Sequence, residues 1–169
     1  MRVQFVALTL SVLTLSVPAA TATSAQEGAP PQTFLSNAQI MALVDKAKAD
    51  RKNDAPLVAE PILTLAPYRA MLEYRPLQAP AALHEKDNEV MVVLDGTGNI
   101  VTGGKIVDEK RVNAANLAGP AIADGKSQTV VKGDMLVVPA NTPHQVTPLG
   151  GAPIVLMTLH IPSTVPNWP

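Results

Sequence analysis

The sequence predicts an all-β domain preceded by a single N-terminal α-helix. From Leu57 onward, short apolar runs alternate with turn residues, which is typical of β-sandwiches and barrels. The 169-residue chain contains 16 prolines and 10 glycines, and these suit many short strands better than long helices. One segment before Leu57 instead has apolar residues at helical spacing. Since this length favours a single domain, we expect one barrel, with the helix packed against its outside or against a second subunit.

Composition excludes several classes of function. Apolar residues make up 47 % of the chain but aromatics only 3 %, so the core must rest on aliphatic side chains and methionine. The net charge of −1 offers no basic field for nucleic acid or for an anionic membrane surface. The chain has no cysteine, which excludes disulfides, thiolate metal sites and a cysteine nucleophile.

Residues 1–25 have the pattern of a signal peptide. Arg2 precedes an apolar stretch that ends before Pro18, and small residues at the spacing of a cleavage site follow, up to Ala25. An apolar stretch of about 15 residues is short for a membrane span of about 20. We therefore expect cleavage after Ala25 and a periplasmic or secreted bacterial protein with no membrane attachment after cleavage.

Residues 26–56 are expected to form a flexible arm (26–33) and then the helix. Ser36 and Gln39 have the spacing of a capping box. The apolar stripe of the helix consists of Ile40, Leu43, Val44 and Ala47. The helix should end at 53–56, so that residues 57–169 form the barrel domain.

Ten strands are predicted in this barrel domain: 60–65, 69–75, 81–84, 89–94, 100–102, 105–107, 128–131, 135–138, 145–147 and 154–161. The segment 109–120, which contains Asn113 and Asn116, is expected to be mostly a loop over one mouth of the barrel.

Period-2 alternation places ionisable groups on an inward face. Glu89 shares a strand face with two apolar residues, an expensive position for a carboxylate unless a partner offsets the cost. His84 shares a face with Ala82, and His144 shares one with Val146. A divalent metal would explain why one carboxylate and two imidazoles gather inside a barrel.

The two stretches that carry these residues resemble the paired motifs of the cupin superfamily. The first motif, of the form H-x-H-x(3,4)-E-x(6)-G, is matched from its second histidine by His84, Glu89 and Gly96. The second, of the form G-x(5)-P-x-G-x(2)-H-x(3)-N, is matched by Gly133, Pro139 and His144, with Asn141 in the place of the second glycine and Pro148 in that of the final asparagine. The resemblance covers residues 77–160 and implies a cupin-type (jelly-roll) β-barrel.

The resemblance also implies a metal site at His84, Glu89 and His144. Ala82 stands where the family has its first histidine, so one usual ligand is missing. Two histidines and one carboxylate still form a recognised facial set for iron(II), and zinc accepts such a set too. Fe, Mn, Zn and Ni are the metals expected. The alternative is a barrel without metal, in which the three side chains bond to one another or line a ligand pocket.

We therefore expect an exported cupin that binds a divalent metal and a small organic molecule, with dioxygenase, isomerase or lyase chemistry. Glu89 is the candidate catalytic residue, as general base if metal is bound weakly or not at all. The alternative is a non-catalytic protein that binds a sugar or organic acid without metal. A third hypothesis is a structural homodimer with a vestigial barrel, since cupins commonly pair through their sheets.

Two further features have open roles. His160 lies on the last predicted strand, where a rearranged site could recruit it, although it is close to the chain end. Arg69, Glu73 and Arg75 alternate along one strand. Facing inward, they would offer contacts to an anionic ligand; such a face is more often solvated.

Overall fold

The computed structural model describes residues 31–164. The expected signal peptide and most of the arm lie outside this range. The described end of the arm is held against the barrel, because Gln32 forms a β-bridge with Thr64. No helix within residues 31–164 is long and apolar enough to span a bilayer.

Helix α1 (Asn37–Asp50) begins at the predicted cap. The Ser36 hydroxyl accepts a hydrogen bond from the backbone N–H of Gln39, and the Gln39 side chain accepts one from the Ser36 N–H. These reciprocal bonds satisfy two N–H groups that would otherwise lack partners, so the capping box is confirmed.

Thirteen strands are present in residues 31–164, which confirms the all-β fold with one helix. They are β1 (Val58–Leu65), β2 (Tyr68–Arg75), β3 (Ala81–His84), β4 (Asp87–Asp95), β5 (Thr97–Thr102), β6 (Lys105–Val107), β7 (Lys110–Asn113), β8 (Asn116–Gly119), β9 (Ala121–Ala123), β10 (Lys126–Val131), β11 (Met135–Val138), β12 (His144–Pro148) and β13 (Ile154–Pro162).

The strands form two large antiparallel sheets. One has the order β1-β2-β13-β4-β11, the other the order β10-β5-β12-β3-β8-β7, and β6 and β9 pair separately. Side chains from both large sheets form one buried apolar cluster, so the two sheets face each other. The cluster consists of Met91, Val93, Ile100, Val130, Val138, Val146, Ile154 and Leu156.

Helix α1 covers the outer face of the five-stranded sheet. Packing against the outside of the barrel is one of the two positions that the sequence predicts for it. Val44 and Ala47 are buried against Ala70, Leu72 and Tyr74 of β2. Because side chains alternate along a strand, the opposite face of β2 must point into the barrel.

The expected loop over residues 109–120 is wrong. Strands β7 and β8 form a hairpin there, and β8 joins the six-stranded sheet by pairing with β3. Every residue of β7 is exposed, so this strand has no inward apolar face to reveal it in the sequence. Pairing of β8 with β3 sets Asn116 opposite His84, and two hydrogen bonds from Arg111 to Glu85 also hold the hairpin.

Candidate metal centre

Four ionisable side chains from four different strands meet at one end of the barrel. They are His84 on β3, Glu89 on β4, His144 on β12 and His160 on β13. All four line a cavity of about 430 Å³. Further along β4, Met91 and Val93 belong to the apolar cluster, so the interior is divided into a polar end and an apolar end.

Glu89 is the common neighbour of the three imidazoles. Its Oε2 lies 3.0 Å from His144 Nε2 and 3.4 Å from His84 Nε2. Its Oε1 lies 3.8 Å from His160 Nε2. Glu89 is only 2 % exposed, so its charge has to be balanced by these neighbours or by a bound cation.

The environment keeps Glu89 ionised. Burial alone would raise the pKa of this carboxyl group, but hydrogen bonds with His144 and His84, together with the charges on the histidines, hold the pKa far below its ordinary value. Glu89 is therefore a carboxylate at neutral pH and cannot donate a proton there.

A chain of hydrogen bonds from the β7–β8 hairpin orients His84. The Ala115 N–H and the Asn116 Nδ2 both donate to Asn113 Oδ1, each over 3.0 Å. Asn116 therefore turns its Oδ1 toward His84 Nδ1, at 2.6 Å. A carbonyl oxygen can only accept, so His84 Nδ1 carries the proton and, in the neutral ring, Nε2 carries the lone pair.

His144 is held in a similar way. Its Nδ1 lies 3.3 Å from the carbonyl oxygen of Thr142, which again can only accept a hydrogen bond. In many metal sites the ligating histidine donates its other N–H to such an oxygen, which fixes the ring and the tautomer. Both His84 and His144 thus direct Nε2 toward Glu89.

This arrangement has an electrostatic conflict that a cation resolves. Neutral His84 and His144 present lone pairs to the Glu89 Oε2 atom, which is itself an acceptor and has no hydrogen-bond partner by strict geometry. A proton offers one solution: burial lowers the pKa of His84, but Glu89 and Asn116 outweigh burial and raise it. A divalent metal offers the other, because all these atoms are good ligands for one.

His160 completes the cluster. It is 8 % exposed, and its Nδ1 has no hydrogen-bond partner among the described residues; the nearest acid is Asp87, with Oδ2 at 3.9 Å. Burial lowers the pKa of His160, Glu89 opposes this shift, and the charges on His84 and Arg69 lower the pKa further. A neutral imidazole at neutral pH follows, with a lone pair free for a metal.

The described residues thus contain a possible His–Glu–His metal site. His84, Glu89 and His160 each offer a ligand atom, and these atoms lie within 4.8 Å of one another. The sequence predicts His144 rather than His160 as the second histidine, and His144 lies in the same cluster beside Glu89. The predicted set of His84, Glu89 and His144 is brought together, but which of the imidazoles bind a metal stays a prediction.

Ala82 is the feature of the sequence that could have indicated a role for His160. This alanine lies directly opposite His144 in the sheet and borders the cavity. The first motif lacks one histidine ligand, and the chain has a further histidine, His160, on another strand. This combination suggests that His160 substitutes for the histidine missing at position 82. Strand order decides the matter, and the sequence does not reveal that β13 lies beside β4.

The remaining wall of the cavity carries the charged face of β2. Arg69, Glu73 and Arg75 all border it. The sequence allowed this face to point inward or into solvent, and the structure shows that it points inward. The physical reason is helix α1, which occupies the other face of β2.

Comparison with known proteins supports the fold. The sequence matches no protein-family model and no curated protein. Among solved structures, a hydroquinone 1,2-dioxygenase, PnpCD, in complex with Cd²⁺ and 4-hydroxybenzonitrile aligns with a TM-score of 0.53 and 16 % identity, over 75 % of this chain and 72 % of that one. A double-stranded β-helix protein from Klebsiella pneumoniae aligns with a TM-score of 0.51 and 13 % identity, over 72 % of this chain and 88 % of that one.

A cupin domain, Cnp3, from Schizosaccharomyces pombe aligns with a TM-score of 0.48 and 13 % identity, over 68 % of this chain and 71 % of that one. At such identities the likeness concerns the fold alone. The predicted cupin-type barrel, also called a double-stranded β-helix, is confirmed.

Proposed function

We propose that this cupin-fold chain is an enzyme that binds one divalent transition metal at the polar end of its barrel and transforms a small organic molecule there. One observation carries the proposal. The Nδ1 atoms of His84 and His144 are hydrogen-bonded to carbonyl oxygens, so both rings direct Nε2 at the same buried oxygen of Glu89, which lacks a hydrogen-bond partner. Neutral imidazoles leave this oxygen unsatisfied, whereas a bound metal, or a proton taken up by an imidazole, satisfies it.

The donor set fits iron, manganese, zinc or nickel. Glu89 and His84 would hold the ion together with His160, His144 or both. Nitrogen and oxygen donors without thiolates suit these metals. When bound, such a metal supplies Lewis-acid catalysis or, in the case of iron, activation of dioxygen.

The protein's own residues prepare the site. Asn116 and Thr142 fix the tautomers of His84 and His144. Glu89 stays ionised, and a carboxylate whose pKa is held so low is a weak proton acceptor. These properties favour Glu89 as a ligand over Glu89 as a general base. Glu89, His144 and His160 are buried, and His84 is partly exposed.

Metal content and turnover test this proposal together. Untagged protein is stripped with chelator and loaded separately with Fe(II), Mn(II), Zn(II) and Ni(II), and each form is screened against small acids, phenols and sugars, with product analysis for every ligand that binds. We expect one metal per chain and turnover that disappears on chelation. Ligand binding without metal uptake would contradict the proposal and favour a non-catalytic binding protein.

Export is a separate proposal. It rests on the sequence of residues 1–25, with its small-residue cleavage pattern ending at Ala25. N-terminal sequencing of the protein from a bacterial periplasmic fraction should begin at Gln26. An intact Met1 terminus in the cytoplasmic fraction would contradict export.

A further inference from the structure

Strand β2 carries a charged face into the barrel interior. Arg69, Glu73 and Arg75 alternate along it and border the same cavity as the histidine cluster. Glu73 is 8 % exposed and Arg75 is 7 % exposed, although charged residues are almost never so buried unless they are paired.

Arg75 and Glu73 form a buried pair that leaves part of the guanidinium free. Arg75 Nε and Nη2 donate to one carboxylate oxygen, Glu73 Oε2, over 2.9 and 2.7 Å. These two bonds fix the plane of the guanidinium. Among the described residues, Nη1 donates no hydrogen bond, so this edge of a rigid, cavity-lining cation is available to a ligand.

The charges lining the cavity point to the sign of that ligand. Arg69 and Arg75 balance Glu73 and Glu89, and histidines that bind a metal are neutral. A divalent metal would therefore add an excess of two positive charges to a cavity in which Glu73, Arg75 and Glu89 are buried and Arg69 is exposed. Such an excess favours an anion strongly, because charges interact more strongly away from water.

We propose that Arg75 forms a carboxylate-binding subsite beside the metal centre, so that the substrate is a small organic acid. The subsite rests on the proposed function, since the same cavity holds both groups. A guanidinium edge matches the geometry of a carboxylate, which it binds through charge-assisted hydrogen bonds. Arg69, exposed at the mouth of the cavity, adds attraction for an incoming anion. The volume of about 430 Å³ suits a small molecule.

Isosteric probes test the subsite by calorimetry on zinc-loaded mature protein. Benzoate is compared with benzamide, and succinate with succinamide, so that shape is kept and charge is changed. We expect each acid to bind about tenfold or more tightly than its amide. Equal binding of both acids and their amides would overturn the proposal.

Two variants separate contact from charge. The double variant Glu73→Gln/Arg75→Gln keeps the net charge of the cavity and leaves no buried ion without its partner, so it should fold. It should bind acid and amide alike. Glu73→Gln alone frees Arg75 and removes one negative charge from the cavity, so it should raise the affinity for the acids several-fold. Lys132→Gln, which removes a surface cation paired with Asp95, is the control and should change nothing.

A separate zinc titration keeps this proposal distinct from the proposed function. Zinc uptake without a preference for acids overturns the subsite and leaves the metal centre intact. A preference for acids that disappears in the double variant, in protein that takes up no zinc, supports the subsite and overturns the metal centre. A preference that survives in the double variant also overturns the subsite, because the carboxylate must then bind elsewhere.

Discussion

His160 on β13 and Glu89 on β4 are direct cross-strand neighbours, with His160 Nε2 3.8 Å from Glu89 Oε1. This pairing supplies an imidazole to a barrel whose first motif has lost one at Ala82. Two adjacent strands of the five-stranded sheet thus carry half of the cluster, and β3 and β12 of the other sheet carry the rest.

Removal of the His160 side chain should weaken metal binding. If His160 is a ligand, the variant His160→Ala loses one donor and its zinc affinity should fall by about 100-fold, of the order of effects at metal sites. Competition with a chromophoric chelator measures the affinity. Thr158→Val is a matched control, since Thr158 is a buried residue on the same strand and is not among the residues that border the cavity. Equal affinities of His160→Ala and wild type would exclude His160 as a ligand.

Restoring the missing motif position should rescue that variant. Ala82 borders the cavity opposite His144, so a histidine there would point an imidazole at the same cluster. We expect Ala82→His/His160→Ala to recover at least about tenfold in zinc affinity over His160→Ala. Ala118→His, another cavity-lining position on β8, should give no rescue. Rescue by both would indicate that any added imidazole captures zinc.

The hydrogen bond that Asn116 accepts from His84 should also affect the affinity for metal. Asn116→Leu removes the acceptor that holds His84 Nδ1, which frees the ring to rotate and to change tautomer. Loss of such an outer partner typically costs about 10–100-fold in metal affinity. Asn99→Leu alters an asparagine on β5 that bonds Ser127 on the surface and serves as the control. Unchanged affinity in Asn116→Leu would mean that packing alone orients His84.

The pH dependence of stability reports on Glu89 in metal-free protein. Its pKa is lowered on folding from an ordinary 4.5, so its contribution is present above pH 4.5 and is lost as the pH falls toward the folded value. The pKa of His84 is raised from 6.5, so its contribution is present below pH 6.5 and is lost as the pH rises through the folded value.

Urea denaturation of wild type and Glu89→Gln, both with chelator present, measures the joint effect. The wild type should be more stable by about 1–3 kcal/mol between pH 4.5 and 6.5, and this advantage should decrease at lower and at higher pH. Glu109→Gln, the same acid-to-amide change at an exposed side chain, should show no such profile. An advantage that stays constant from pH 3 to pH 9 would show that the carboxylate and the imidazole do not interact.

The sequence predicts what local pattern controls. His84, Glu89 and His144 follow from strand alternation and motif spacing, and Ser36 follows from cap chemistry. Two other features depend on distant packing. Which face of β2 points inward is decided by helix α1, and the proximity of His160 to Glu89 is decided by the order of strands in the sheet. The β7–β8 hairpin escapes prediction because its exposed residues carry no apolar alternation.

Anomalous diffraction from crystals of zinc-loaded protein tests the metal centre most directly. Data collected above and below the zinc absorption edge locate the ion independently of the protein atoms. We predict a single peak per chain at bonding distance, about 2.0–2.2 Å, from a Glu89 oxygen and from at least two of the imidazoles of His84, His144 and His160. A barrel without a peak among these four side chains, or with zinc bound only elsewhere, would contradict the proposed metal centre.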